Sequence, residues 1–146
     1  MPPCPRRKIV FTNGCFDLLH PATFQLLEFC RAQGDVLVIG LNSDASVRQQ
    51  NKGADRPILS QSDRARMLAA LGDVDYVVLF DEPTPERLIR ELRPDVLVKG
   101  TDWADRGVVG RETVEQHSGR VVLAELVAGY STSQLVERIR RGAPAE

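Results

Sequence analysis

The sequence predicts an α/β protein built on a single doubly wound, parallel sheet of about five strands with helices on both faces. Three observations predict it. Strand-like and helix-like segments alternate along the whole chain with short connections, the order that parallel strands with right-handed crossovers require. Asp35–Leu41 is a continuous apolar run rather than an alternating one, as in a strand covered on both faces. Polar, turn-forming clusters follow the first, second and fourth strand-like runs, at Thr12–His20, Asn42–Asp44 and Lys99–Trp103. Ligands of such sheets bind beyond the C-terminal strand ends, near a switch in strand order, so these clusters mark the predicted site.

Taken in order, Lys8–Thr12 is a short apolar strand that Asn13-Gly14 breaks, and a helix start follows at His20-Pro21. A strand, a turn and a helix start in one short segment present free N–H groups and the positive end of a helix dipole, which suit a phosphate. Pro21 fits a first helical turn, where its missing N–H costs nothing. Phe24, Leu26, Leu27, Phe29 and Cys30 form the apolar stripe of a helix over Pro21–Gln33, and Gly34 stops it. After the strand Asp35–Leu41, the cap-rich Asn42-Ser43-Asp44 precedes a short helix over Ala45–Gln50. Asn51–Pro57 is polar and rich in breakers, the segment expected to be most mobile. Ser60 or Ser62 caps the next helix, which runs to Leu71 with Met67, Leu68 and Leu71 on its apolar side. Val74–Phe80 is the third strand, and Thr84 is expected to cap a helix over Pro85–Leu92. Pro94–Lys99 is the fourth strand. A loop and short helix through Val109–His117 lead to the fifth, Gly119–Glu125, and Ser131-Thr132-Ser133 caps a last helix, Gln134–Arg141.

The 146 residues suffice for one domain over 1–146, with 1–7 and 142–146 as loose tails. A net charge of −1 with scattered basic residues gives no sequence-independent grip on nucleic acid. No apolar run reaches the ~18 residues of a membrane span, and no long apolar region follows the charged N-terminus, so the reading is cytoplasmic with no membrane partner. Cys4, Cys15 and Cys30 form neither a metal-binding nor a disulfide pattern, and Cys15 and Cys30 read as small buried apolar residues.

The opening loop is no P-loop, because it lacks a Gly-Lys-Ser/Thr ending, and it lacks GxGxxG. There is no Ser-His-Asp elbow and no metalloprotease motif. What is left is a polar turn with His20 at a helix start, basic residues in nearby loops and a Ser-Thr-Ser cap. Basic groups and helix N-termini without a nucleophile suit phosphoryl or nucleotidyl transfer, where the protein positions reactants and neutralises developing charge.

Phe11-Thr-Asn-Gly-Cys-Phe-Asp-Leu-Leu-His20 resembles the signature of the cytidylyltransferase-like nucleotidyltransferase family. Within it the chain is most similar to the heptose-1-phosphate adenylyltransferases, whose domain is often fused to a heptose kinase. Gly40–Val47, Lys52-Gly53 with Arg56-Pro57, Val74–Val78, Arg93–Gly100, Val109–Glu112 and Gly129–Ser133 carry the resemblance over about Ile9–Ile139. The resemblance implies a Rossmann-like sheet and in-line attack of a sugar phosphate, a heptose 1-phosphate, on the α-phosphorus of ATP, with pyrophosphate leaving. It implies that Thr12, Asn13, Gly14, Phe16 and Asp17 cradle ATP and that His20 binds phosphates in the transition state. Lys52 would reach the triphosphate and the acceptor from a mobile loop. Asn42, Asp44 and Arg64 would serve the sugar-phosphate side. Lys99, Gly100, Asp102 and Trp103 would line the nucleotide and sugar ends. Ser131, Thr132 and Ser133 would meet the β- and γ-phosphates. Mg²⁺ would bridge phosphates largely through its own waters. A homodimer and a functional link to a heptose kinase are implied in the same way.

One departure falls at the centre. The family's His-x-Gly-His reads His20-Pro21-Ala22-Thr23 here. Thr23 takes the second catalytic position and can donate one hydrogen bond but carries no positive charge. Loss of one transition-state donor costs ~10²–10³ in rate. The sequence allows two other readings. A cytidylyltransferase would use CTP with a small alcohol or amine phosphate, or a phosphonate, but such relatives usually carry Arg-Thr where Leu126-Val127 stand. A nucleotide-binding module with little catalysis has only the Ala22-Thr23 change in its favour.

Overall fold

The computed structural model describes residues 2–101, 107–142 and 144. The strands are β1 (Ile9–Gly14), β2 (Val36–Asn42), β3 (Tyr76–Phe80), β4 (Val96–Gly100) and β5 (Arg120–Ala124), interleaved with α1 (Pro21–Ala32), α2 (Asp44–Arg48), α3 (Gln61–Ala69), α4 (Glu86–Leu92), α5 (Arg111–Gln116) and α6 (Thr132–Arg141). All strand pairings are parallel, in the order β3-β2-β1-β4-β5. The order reverses between β1 and β4, the switch point of a doubly wound sheet.

The pleat sends successive residues to opposite faces, so each central strand feeds two cores. Val10, Leu37, Ile39, Leu41 and Val98 pack against Leu27 and Cys30 of α1 and Leu68 of α3. Phe11, Val38 and Leu97 pack on the other face against Ile89 of α4 and Val114 of α5. β3 is an edge strand and mostly exposed, Tyr76 at 62%. No helix among the described residues is long and apolar enough to cross a membrane.

Three local expectations are corrected. β1 does not stop at Thr12. Asn13 and Gly14 remain in register with Gly40 and Leu41 of β2, so ladder pairing overrides the turn propensity of Asn-Gly. Thr84 does not cap α4, whose N-cap position is Pro85 with no side-chain cap bond. The last helix begins at Thr132, two residues before the expected start, because Ser131 alone caps it by accepting from the Gln134 N–H. Ser60, not Ser62, caps α3 by accepting from the Asp63 N–H.

Gly119 shows how tightly β5 is seated. A Cβ there would lie 2.9 Å from the carbonyl oxygens of both Pro94 and Asp95, which are backbone and cannot swing away. Gly119→Ala is expected to cost about 1–3 kcal/mol in urea unfolding. Gly72→Ala, where a Cβ meets nothing within 4 Å, is the control and should stay within about 0.5 kcal/mol of the parent.

Candidate functional site

The site grows from the switch point. β1 and β4 share only two ladder pairs, Val10 with Val96 and Phe11 with Leu97. Beyond them the strands diverge, and side chains take over the bridging. Thr12 Oγ1, fully buried, donates to the Val98 carbonyl at 2.9 Å. Lys99 Nζ donates to the Asn13 carbonyl at 3.1 Å. Above this floor opens a cavity of about 500 Å³ lined by Asn13, Gly14, Cys15, Asn42, Gln50, Lys52, Pro83, Thr84, Pro85, Lys99 and Val109. Among the described residues its lining holds two lysines and no carboxylate.

The loop after β1 is held from beneath. Phe16 adopts a left-handed φ of 46°, and its ring lies against Gly14, where a Cβ would approach it to 3.1 Å. Asp17 is buried and accepts from Arg56 Nε at 2.7 Å and from the N–H groups of Ile58 and Leu59. Burial alone would push its carboxyl up, but those two backbone donors and the Arg56 guanidinium outweigh it and hold the group below its ordinary value. Arg64 is also buried. It donates from Nε to Leu59 O, from Nη1 to Cys15 O and Asn42 O, and from Nη2 to Asp44 Oδ1. Four of its five N–H groups are thus engaged within the protein, so its charge sits under the loops rather than in the cavity.

His20 is the N-cap residue of α1, and Thr23 is three residues into that helix. Thr23 is buried, and its Oγ1 accepts from the His20 N–H at 3.4 Å, one arm of the capping box that His20 and Thr23 form. Its hydroxyl proton is left to donate. Burial pushes the His20 imidazole below its ordinary value and favours the neutral ring. Two buried side-chain polar atoms among the described residues have no hydrogen-bond partner, His20 Nδ1 and Asn13 Oδ1. Both lie on the opening loop, and unsatisfied buried polar atoms are rare enough to mark a place where a ligand makes the bond.

At the N-terminus of α6, Thr132 Oγ1 donates to Leu18 O at 3.3 Å, and Ser133 Oγ accepts from Arg56 Nη1 at 3.5 Å. The exposed Lys52 places Nζ 3.4 Å from Cys15 Sγ. Of the residues singled out in the sequence, the structure gathers Asn13, Gly14, Asn42, Lys52 and Lys99 around one cavity. Gly100 ends β4 as a buried residue. Thr12, Asp17, Asp44 and Arg64 make internal hydrogen bonds, and Asp102 and Trp103 lie outside the described residues. Gln50, Arg56 and the Pro83-Thr84-Pro85 run were not singled out. The last had a signal, because it is a breaker-rich cluster after the third strand, where the strand-end rule applies equally. Arg56 was marked only as part of the Arg56-Pro57 stretch of the resemblance, with no sign of its partner 39 residues away.

Among the described residues no three His, Cys, Asp or Glu side chains group as a metal site. The chain matches the cytidylyltransferase-like family model over residues 11–138. It is 54% identical to the bifunctional protein HldE of Geotalea uraniireducens (strain Rf4) over 140 residues, 96% of this chain and 28% of that protein. The bifunctional protein HldE of Helicobacter pylori (strain Shi470) is 51% identical over 136 residues, 93% of this chain and 28% of that protein. The chain therefore spans a little over a quarter of the length of these curated relatives. Among solved structures, the lipopolysaccharide core biosynthesis protein from Thermoplasma volcanium GSS1 aligns with a TM-score of 0.67 at 23% identity, covering 84% of this chain and 98% of that one. The pantoate-beta-alanine ligase of Francisella tularensis aligns with a TM-score of 0.59 at 15% identity, covering 96% of this chain and 63% of that one. At those identities the two structures speak for the fold alone.

Removing the Arg64 guanidinium strands three carbonyls and a carboxylate, so Arg64→Leu is expected to lose about 3 kcal/mol in urea unfolding. The pH dependence of stability has two parts. Below pH 6.5 the unfolded chain protonates His20 before the folded one does, so stability falls as pH drops through that region. Asp17 adds stability above its ordinary 3.8 that is lost as pH falls below it. Urea midpoints measured against pH should lose the first step in His20→Gln and the second in Asp17→Asn.

Proposed function

Because the chain belongs to the cytidylyltransferase-like family of nucleotidyltransferases, we propose that it transfers AMP from ATP to a sugar 1-phosphate, D-glycero-D-manno-heptose 1-phosphate, releasing pyrophosphate and forming ADP-heptose. The observation that carries this reading is the cavity at the switch point, with Lys52 and Lys99 in its lining. Two cationic side chains in one lining favour an occupant with several negative charges. The sugar epithet comes from the sequence resemblance and agrees with relatives 50–56% identical to the chain that are called HldE.

A phosphate oxygen of the sugar attacks the α-phosphorus of ATP in line, and the bond to the pyrophosphate oxygen breaks. No protein nucleophile is needed, so the side chains hold and neutralise. Lys52 and Lys99 balance the charge that builds on the non-bridging and leaving oxygens. His20 Nδ1, buried and without a protein partner, donates to a phosphate oxygen in its N–H form. The N-terminus of α6, with Ser131, Thr132 and Ser133, meets the leaving phosphates. Asn42 and Gln50 offer amides to the acceptor. Mg²⁺ supplies further neutralisation of the triphosphate when bound. The cavity lining fits an ion carried by phosphates and water, with Asn13 Oδ1 as the unpaired protein oxygen near it. The bifunctional description of the relatives, with this chain covering about a quarter of them, agrees with a heptose kinase working upstream. The family resemblance alone supports a homodimer.

The test follows pyrophosphate with Mg²⁺, each nucleoside triphosphate and candidate phosphates. Release with ATP and heptose 1-phosphate is expected, and release with CTP alone would overturn the assignment. His20→Ala is expected to lower kcat by ~10²–10³. The double change Ala22→Gly with Thr23→His should raise kcat toward ~10²-fold, because it returns a second transition-state donor. An unchanged kcat would show that the Thr23 hydroxyl already suffices.

A further inference from the structure

We propose that Arg56 is a positioning residue that registers the loop carrying Lys52 against the N-terminus of α6, so that the two phosphate-facing segments move as one. Residues 51–55 are all exposed, yet the Arg56 side chain is only 6% exposed. Its Nε donates to Asp17 Oδ2 at 2.7 Å, and that carboxylate is itself fully buried. From the same guanidinium, Nη1 reaches Ser133 Oγ at 3.5 Å. One planar fork therefore joins three segments, the loop after β1, the loop before α3 and the cap of α6. Asp55 adds a second tie to α6 through Arg140.

The helix needs such a tie. α6 has no fully buried residue, and Ile139 on it is 73% exposed. Its N-terminal hydroxyls are attached at Leu18 and at Arg56. The loop needs it as well. Asp17 also takes the N–H groups of Ile58 and Leu59, so the far stem of the loop is pinned where Arg56 is pinned. Lys52 lies four residues upstream. It borders both the large cavity and a smaller one of about 210 Å³ between the loop and α6, which Arg56, Ser133 and Arg140 also line. Arg56 itself does not line the large cavity, so it acts through Lys52 and Ser133 rather than on the reacting atoms.

This inference deepens the proposed nucleotidyl transfer and rests on Lys52 and α6 serving phosphates, but its first readout needs no substrate. Backbone hydrogen exchange is measured on the full chain for the parent, Arg56→Gln and Arg56→Lys. Arg56→Gln is expected to accelerate exchange in residues 51–57 and in the first turn of α6 together, with the amides of β2 and β4 unchanged. A lysine keeps a charge for Asp17 but lacks the fork that reaches Ser133 as well. Arg56→Lys should therefore restore protection of the loop and leave the α6 turn fast. Acceleration confined to the loop, uniform acceleration through the sheet, or full rescue of both segments by lysine would each overturn the proposal. If Arg56→Gln does not fold, Arg56→Lys carries the same comparison. Pyrophosphate assays then separate the two claims. Coupled exchange with an inactive parent enzyme would sink the functional reading and leave the coupling. In an active parent, Arg56→Lys should lower kcat several-fold with little change in melting temperature, and an unchanged kcat would remove the catalytic consequence of the coupling.

Discussion

The divergence of β1 and β4 is the constraint on which the rest of the site depends. Two parallel strands held by two ladder pairs cannot stay in register without help, and the bare strand ends would leave buried polar groups unpaired. Thr12 and Lys99 supply that help from opposite strands, Thr12 to the Val98 carbonyl and Lys99 to the Asn13 carbonyl. These bonds join the two strands beneath the cavity. They also place the Lys99 ammonium at the base of the cavity, where a structural role and a role toward a bound anion are compatible.

Above the floor, buried charge organises the loops. Arg64 and the Asp17–Arg56 pair are each costly to remove from water, and buried ion pairs are poor sources of net stability. Their value lies in direction. Arg64 gathers a carbonyl from the loop after β1, the carbonyl of the last residue of β2 and the carboxylate of Asp44 in α2, so three stretches share one centre. Asp17 does the same with one guanidinium and two backbone N–H groups. An apolar pair would fill the same volume but would not dictate which loop sits where. The short connections of the sheet are thereby turned into a rigid rim.

The altered signature has a local explanation. Thr23 is a good partner for a helix start, and its hydroxyl accepts from the N–H of His20. The position that carries an imidazole in the family's signature thus serves here in capping α1 and orienting its first residue. That leaves His20 as the histidine of the signature, with its buried Nδ1 unsatisfied by protein. In the proposed transfer, cationic assistance falls on lysines that come from other elements, Lys52 from the loop before α3 and Lys99 from β4.

The order of elements, the parallel sheet and the strand ends that border the cavity were legible in the sequence, because periodicity and punctuation are local properties. Asp35–Leu41 reads as doubly covered because both of its faces are apolar, and β2 does sit inside the sheet. The gathering of Asn13, Asn42, Lys52 and Lys99 followed from the strand-end rule together with the family resemblance. Tertiary structure alone decided the rest. It extended β1 through Asn13-Gly14, because register with β2 outweighs a local turn preference. It engaged Thr12, Asp17 and Arg64 in internal bonds, because a polar side chain that becomes buried must find partners wherever the fold brings them. It paired Arg56 with a carboxylate 39 residues away, and a contact at that separation leaves no periodic trace in the chain.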